Sequence, residues 1–192
     1  MSPVPAHAVL AALRARSPGL GVKKAHKLLY YCQGHHLAAF GEPLFGERIS
    51  AWDMGPVVGQ VWYTEKKGQA PVDLPELDEA ALNTVGYVVS RYGALSGGDL
   101  ERLTHHEPPW EEADQGRAAG TSAPIAQSAI ERFFRAAPVV DDDEAPALEP
   151  DAVSELVEGA IERRGAPSSP DDLDRLRARI EGLREVGRRR AG

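Results

Sequence analysis

The sequence predicts a mainly α-helical protein: a compact helical domain with a short β element after its second helix, followed by a C-terminal helical tail. Two observations predict this fold class. Apolar residues recur at steps of three and four through most of the chain, which is typical of amphipathic helices, and a strand signal appears only after the second such segment. A length of 192 residues, 42% of them apolar and 27% charged, suits one folded domain with an appendage.

The first two predicted helices comprise residues 5–16 and 22–40. In the second, the stripe at helical spacing consists of Val22, Ala25, Leu29, Cys32, His36 and Phe40. We expect Lys23, Lys24 and Lys27 towards the other side of this helix. Gly41 stands where a C-cap glycine belongs, which indicates that the helix ends there.

The segment after the second helix carries the strand signal. One or two short strands are predicted around Gly46 from Leu44, Phe45, Ile49, Ala51 and Trp52. Pro56 is expected to open a third helix at its first position, with Gly55 or Asp53 as the cap. Gly55 and Pro56 would then form a strand-to-helix corner, with Trp52 packed beneath it.

Three further helices are predicted in the body of the protein. The first spans residues 75–92, and its apolar stripe consists of Leu82, Val85, Val89 and Tyr92. Ser96 and Asp99 have the spacing of a capping box and predict the start of a short helix, which Pro108 and Pro109 break. Ser122 is expected to cap a helix that runs to Phe134.

The chain changes character after residue 136. We predict a folded domain at residues 1–136, an acidic Pro-rich linker at 137–149 and an amphipathic helical tail at 150–192. In the tail, one helix is predicted at residues 150–164 and a second begins near Ser169. The second carries an apolar seam formed by Leu173, Leu176, Ile180 and Leu183. Such a seam must be covered by the body or by another chain, and we expect it to bind a partner.

Charge and cysteine content narrow the function classes. The formal net charge of −7 disfavours a general nucleic-acid binder, but residues 163–192 contain nine arginines, so binding there stays open. The single cysteine, Cys32, excludes a disulfide framework and a thiolate-rich zinc site within one chain. Without a signal-peptide pattern or an 18-residue apolar stretch, the sequence predicts a cytoplasmic protein that does not contact a membrane.

Two clusters have the residue types of catalytic or metal sites. Cys32 and His36 lie four residues apart, near His35 and His26, but their spacing matches the buried stripe, and we interpret them as core residues. His105, His106 and Glu107 are interpreted as a helix end, where histidine complements the helix dipole. The run Asp141–Glu144 is interpreted as a solvated linker rather than a cation site. We therefore predict no catalytic residue, metal or cofactor.

The three tryptophans, Trp52, Trp62 and Trp110, are interpreted as core anchors near helix junctions. The alternative is that one of them is exposed as a binding anchor, because tryptophan is enriched in interface hot spots.

One long run of residues resembles a known family. The run KKAHKLLYYCQGHHLAAFGEPLFGERISAWDMGPVVGQVW, residues 23–62, is similar to the Panacea domain of SocA-like and GepA-like antitoxins. The matching residues expected to be mainly structural are Lys27, Leu28, Leu29, Tyr30, Gln33, Gly34, Trp52, Gly55, Pro56 and Trp110. Tyr31, the Pro-Leu-Phe triplet at 43–45 and blocks at 103–105 and 125–134 extend the resemblance over about residues 5–136. Pro108 departs from it, since glycine is expected before Pro-Trp.

The resemblance implies the antitoxin half of a bacterial or phage-linked toxin–antitoxin pair, a protein that neutralises its toxin by direct binding. Some members of the family are similar to adaptors that deliver the toxin to a protease, so the implied partners are a cognate toxin and a protease or chaperone. A homo-oligomer stays open. The alternatives are a DNA-binding transcriptional regulator and, from the residues above, a Cys/His-dependent hydrolase.

Overall fold

A computed structural model describes residues 3–136 and 147–163 and confirms the predicted fold class, mainly α with a small sheet after the second helix. The helices of this range are α1 (Ala6–Arg16), α2 (Val22–Phe40), α3 (Gly59–Lys66), α4 (Glu79–Tyr92), α5 (Gly97–His105), α6 (Pro108–Asp114), α7 (Gln127–Ala136) and α8 (Pro150–Arg163). The strands are β1 (Ile49–Trp52), β2 (Gly55–Val58) and β3 (Ala123–Pro124). None of the described helices is long and apolar enough to cross a membrane.

Helix α2 is the central element, with α1, α4, α5, α7 and β2 packed around it. Its bounds agree with the prediction, and Gly41 ends it with a left-handed φ of 72°. The predicted stripe is only partly correct, because Val22 and Phe40 are exposed at the two ends. Lys27 lies off this stripe as expected, yet its side chain is buried as well. A helix enclosed on most sides has no continuous solvated face, so its polar residues must find partners inside the protein.

The sheet has the order β2-β1-β3, and both pairs of strands are antiparallel. The expected helix start at Pro56 is wrong, because Gly55 and Pro56 belong to strand β2 and α3 begins at Gly59. Proline is tolerated there because β2 is an edge strand, where a missing N–H need not break a ladder. Trp52 therefore pairs with Gly55 across a hairpin rather than packing beneath a strand-to-helix corner.

Some of the later helices begin at residues other than those predicted. Helix α4 begins at Glu79 rather than at residue 75, because Asp78 caps it by accepting the Ala81 N–H at 2.9 Å. The capping box of Ser96 and Asp99 is confirmed. Pro108 and Pro109 were predicted only to end α5, but Pro108 also begins helix α6, because proline is favoured in the first turn of a helix.

Two further predictions on these helices were wrong. Leu82 of the expected α4 stripe is exposed, and Val88 is buried in the core instead. Ser122 does not cap a helix, because strand β3 follows it and α7 begins at Gln127.

The hydrophobic core extends beyond residue 136 into the first part of α8. Leu148 and Val153 are buried in the same cluster as the side chains of α2, and the Leu148 N–H donates to the Arg91 carbonyl at 2.7 Å. The helix predicted at residues 150–164 is confirmed as α8. Part of its apolar face packs on the body of the protein through Val153. The chain divides into units at residues 1–157 and 158–192. Residues 137–146, with the acidic run, and the seam of Leu173, Leu176, Ile180 and Leu183 lie outside the described residues.

Candidate functional site

Lys27 links the central helix to the β-hairpin. Its ammonium Nζ donates to the Pro56 carbonyl at 3.2 Å, and the side chain is buried. Burial lowers the pKa of Lys27 to about 7, an effect that Lys23 enhances and Glu101 opposes. Gly55 has a φ of 94°, and a Cβ atom there would lie 2.7 Å from Lys27 Cε. Lys27, Gly55 and Pro56 are thus brought together as one contact, although they are far apart in sequence.

Gln33 fixes the turn that follows helix α2. Its amide oxygen accepts the Phe45 N–H and its amide nitrogen donates to the Phe45 carbonyl, both at 3.1 Å. All of these groups are buried, where an unpaired backbone amide would be costly. The segment that follows α2, whose Leu44 and Phe45 lie in the core, is therefore anchored by a side chain of the central helix. Leu28 and Leu29, the preceding motif residues, are fully buried in the core.

A cluster of aromatic rings joins α2 to α7 and α4. The ring of Phe134 lies edge-on to Tyr30 and Tyr31, with centroids 5.6 and 6.0 Å away. Tyr31 also stacks on Tyr92 at 4.0 Å. Gly34 lies directly beside the Phe134 ring, where a side chain would not fit. These tyrosines and Gly34, all in the matching run, serve packing between helices.

Glu107 is a buried carboxylate inside this cluster. Its Oε1 accepts the Tyr31 hydroxyl at 2.8 Å, and burial raises the pKa of Glu107 to about 7, although the hydroxyls of Tyr31 and Tyr30 oppose the shift. The neighbouring His105 points elsewhere and stacks on Trp110, with ring centroids 4.0 Å apart. The Trp110 indole N–H in turn donates to the Trp52 carbonyl at 3.3 Å. The His105–Glu107 run thus divides between two separate structural contacts.

The cysteine and the three histidines of α2 lie in separate local environments rather than forming a shared site. Cys32 is fully buried, and burial raises the pKa of its thiol well above the ordinary value, which disfavours the reactive thiolate. His36 Nδ1 lies 2.9 Å from the Thr84 hydroxyl, His35 Nε2 lies 2.9 Å from the Tyr92 hydroxyl, and His26 Nδ1 accepts the Val58 N–H at 3.4 Å. Burial lowers the pKa of His26 and His35 to about 4.

Within residues 3–136 and 147–163, no three His, Cys, Asp or Glu side chains are grouped so that they could hold a metal ion. The geometry of these side chains in α2 is that of separate core contacts rather than of a thiol–imidazole pair.

A surface cavity of about 760 Å³ lies where the start of α2, the hairpin, α3 and the loop before β3 meet. Its lining includes Val22, Lys23, His26, Lys27, Trp52, Asp53, Met54, Val57, Trp62 and Gly120–Ser122. The indoles of Trp52 and Trp62 contact each other edge-to-face, with ring centroids 5.1 Å apart. Both are half-buried, so interpreting them as core anchors was wrong, whereas Trp110 at 3% exposure is one. Sequence periodicity could not identify this cavity, because its walls come from distant segments.

Arg117 holds one wall of the cavity in place. Its guanidinium donates to Asp53 at 2.6 Å, to Asp114 at 2.8 Å and to the Thr121 carbonyl at 2.7 Å. Asp53 also accepts the Gly120 N–H at 2.8 Å. The loop before β3 is therefore tied to the tip of the hairpin by a charged network. Sequence reasoning missed Arg117, since nothing local in the Gly-rich loop distinguishes it from a solvated arginine.

Residues 26–111 match the family model described as antitoxin SocA-like, Panacea domain. This finding confirms the resemblance drawn from the sequence, and the matched range contains the motif residues of α2, the hairpin and Trp110. It supports an antitoxin-like role. Neither the curated proteins nor the solved structures gave a match to the chain.

Proposed function

We propose that this protein is an antitoxin that neutralises a cognate toxin by binding it directly. The observation that carries the proposal is the match of residues 26–111 to the SocA-like antitoxin family. Such a role needs a stable body with an exposed binding surface, and it needs no reacting group.

The distribution of contacts supports binding rather than catalysis. The polar groups of the motif, such as the Lys27 ammonium and the Gln33 amide, are buried and engaged by the protein's own carbonyl and amide groups. By contrast, the cavity lined by Trp52 and Trp62, which we call the aromatic cavity, presents accessible apolar side chains, including Met54 at 50% exposure. Exposed apolar surface beside a rigid framework is typical of a protein-binding site.

The test expresses, one at a time, the open reading frames that adjoin the gene for this protein. One of them should arrest growth when expressed alone, and co-expression with the full-length protein should relieve the arrest and give a complex that co-purifies. If the arrest persists although the full-length protein is folded and abundant, the protein is not the antitoxin of that toxin.

The same co-expression experiment distinguishes two ways of neutralising the toxin. Sequestration predicts that the toxin persists in the cell as a stable complex. Delivery to a protease predicts instead that the toxin level falls with the antitoxin present and recovers when the protease is absent. Nothing in the described residues favours delivery, so sequestration is the form that we propose.

The seam of Leu173, Leu176, Ile180 and Leu183 is proposed as a partner-binding element of the tail. A protein ending at Gly165 retains every described residue and should keep the thermal unfolding transition of the full chain. If the seam binds the toxin, this truncated protein should lose neutralisation. Full protection by the truncated protein would place the toxin contact elsewhere.

A further inference from the structure

Two lysines lie at the C-terminal end of helix α3, which also carries the cavity residue Trp62. The Lys66 ammonium lies 4.6 Å from the centroid of the Trp62 ring, and the Lys67 ammonium lies 5.4 Å from that of Tyr63. Within the part of the chain that the structure describes, no carboxylate lies within 4 Å of either ammonium group. Their charges are therefore balanced by ring faces and solvent rather than by acidic side chains.

The acidic group that lines the cavity does not offset these lysines. Asp53 is bound by the Arg117 guanidinium at 2.6 Å and by the Gly120 N–H at 2.8 Å. Glu65, on the same helix as Lys66, is paired with Arg14. Lys23 lines the cavity and pairs with Glu101. The cavity thus combines an apolar lining with nearby ammonium groups that no carboxylate pairs: Lys66 lies over the ring of the lining residue Trp62, and Lys67 lies over the adjacent Tyr63. The net charge of the whole chain is −7.

We infer that this cavity binds an acidic peptide segment of a protein partner. A large apolar side chain of the segment packs against Trp52, Met54 and Trp62, and flanking carboxylates meet Lys66 and Lys67. The chemistry follows from charge complementarity at these lysines and from the apolar lining, which together select an acidic segment with an apolar anchor. That the partner is a toxin rests on the proposed function, whereas the binding itself does not.

A nucleic acid fits the cavity less well. Binding along a phosphate backbone requires several cations in a row, and its strength grows with their number. Lys66 and Lys67 are exposed cations next to this cavity that have no carboxylate partner among the described residues. Lys27 lines the cavity but is buried and donates to the Pro56 carbonyl, and the carboxylate of Asp53 also lines it. An acidic peptide needs only two such contacts because its apolar anchor supplies the rest of the interaction.

The first experiment measures binding of a defined probe to the full-length protein. The probe is a short acetylated and amidated peptide with one central phenylalanine flanked by glutamates, titrated by calorimetry. We expect saturable binding that weakens by about tenfold or more when the phenylalanine is changed to alanine or the glutamates to lysines. No saturation at about 1 mM peptide, equal affinity for the lysine peptide, or displacement of the acidic peptide by oligothymidylate would each overturn the inference.

A matched pair of variants locates the binding. Met54→Asp and Val72→Asp each add one negative charge at an exposed apolar residue, but only Met54 lines the cavity. We expect Met54→Asp and Lys66→Glu to weaken peptide binding by about tenfold and Val72→Asp to leave it unchanged. Thermal unfolding confirms that the variants are folded. Equal effects of Met54→Asp and Val72→Asp would show that the cavity is not the site.

The growth assay separates this inference from the proposed function. If the wild-type protein relieves growth arrest and Met54→Asp does so equally well, the cavity is not the toxin contact and the function stands. If the wild-type protein binds the peptide but relieves no arrest, the cavity chemistry stands and the antitoxin role fails. If Met54→Asp no longer relieves the growth arrest while Val72→Asp still does, the result supports both the cavity inference and the proposed function.

Discussion

The ring of Phe134 lies so close to Gly34 that a Cβ atom on this glycine would be 2.2 Å from the ring atom Cε2. Glycine inside a helix is unfavourable by about 0.5–1 kcal/mol relative to alanine, so its presence in the middle of α2 requires a compensating contact. The contact is the packing of α7 against α2, with the Phe134 ring held between Tyr30 and Tyr31. Gly34 therefore allows the two helices to approach.

We predict that Gly34→Ala lowers the free energy of unfolding by about 1–3 kcal/mol, because the buried ring must move to make room for the methyl group. Gly86→Ala is the matched control, since Gly86 lies inside α4 and a Cβ there meets nothing within 4 Å. That variant should be more stable by about 0.5–1 kcal/mol. Urea denaturation followed by circular dichroism measures both, and equal stabilities would contradict the packing argument.

Two constraints favour glycine at position 55, its backbone conformation and the close approach of neighbouring side chains, and a second pair of variants distinguishes them. Its φ of 94° disfavours any side chain, and a Cβ would lie 2.7 Å from Lys27 Cε and 3.0 Å from the Thr104 hydroxyl. Gly68 has a similar φ of 65°, but with open space around it. We predict that Gly68→Ala lowers the free energy of unfolding by about 1–2 kcal/mol and that Gly55→Ala lowers it by about 1–3 kcal/mol more. Equal losses in thermal unfolding would mean that backbone strain alone explains the glycine.

The parts of the fold that were predictable from sequence are those set by neighbouring residues. The bounds of α2 follow from helical spacing ended by Gly41, and the start of α5 follows from the reciprocal bonds of Ser96 and Asp99. Pro56 was misread because proline suits both the first turn of a helix and an edge strand. Only pairing with Ala51 across the hairpin decides between them.

The candidate site was less predictable because its contacts join distant residues. The Lys27 ammonium meets a carbonyl 29 residues away, and the Arg117 guanidinium meets a carboxylate 64 residues away. Helical spacing placed Lys27 apart from the stripe correctly, but the strand that covers it cannot be inferred from that spacing. Similarly, Trp52 and Trp62 have the sequence surroundings of core residues, and only the packing of the hairpin on α3 leaves them accessible.

Glu107 should make stability depend on pH in the weakly acidic range. Its pKa is near 4.5 in an unfolded chain and about 7 in the folded protein, so between these values the folded state holds the extra proton. The free energy of unfolding therefore contains a contribution that is present below pH 4.5 and is lost as the pH rises through 7. We predict that Glu107→Gln, which keeps an acceptor for the Tyr31 hydroxyl, removes this contribution.

The measurement compares urea denaturation of the two proteins from pH 4 to pH 8. The stability of the wild type minus that of Glu107→Gln should fall by roughly 3 kcal/mol over this range. Taking the difference removes the opposite contributions of His26 and His35, whose lowered pKa values make stability rise with pH. A difference that stays constant with pH would show that Glu107 titrates normally.

Lys27 should give the opposite dependence at higher pH. Burial lowers its pKa from 10.5 to about 7, so between these values the unfolded chain holds the extra proton and stability rises with pH. Lys27→Met keeps a long apolar stem and removes the titrating group. We predict that the free energy of unfolding of the wild type, relative to this variant, rises by about 1.4 kcal/mol per pH unit between pH 7.5 and pH 9.5.

Lys23→Met is the comparison variant for Lys27→Met, because Lys23 is only half-buried, is paired with Glu101 and helps to lower the pKa of Lys27. This variant keeps the buried ammonium group, so its stability should still rise with pH, but the rise should begin at a higher pH than in the wild type. The raised pKa values of Tyr30, Tyr31 and Tyr92 act mainly above this range and are shared by all three proteins. Parallel curves for the wild type and Lys27→Met would mean that the buried ammonium keeps its proton, held by the Pro56 carbonyl and the charge of Glu101.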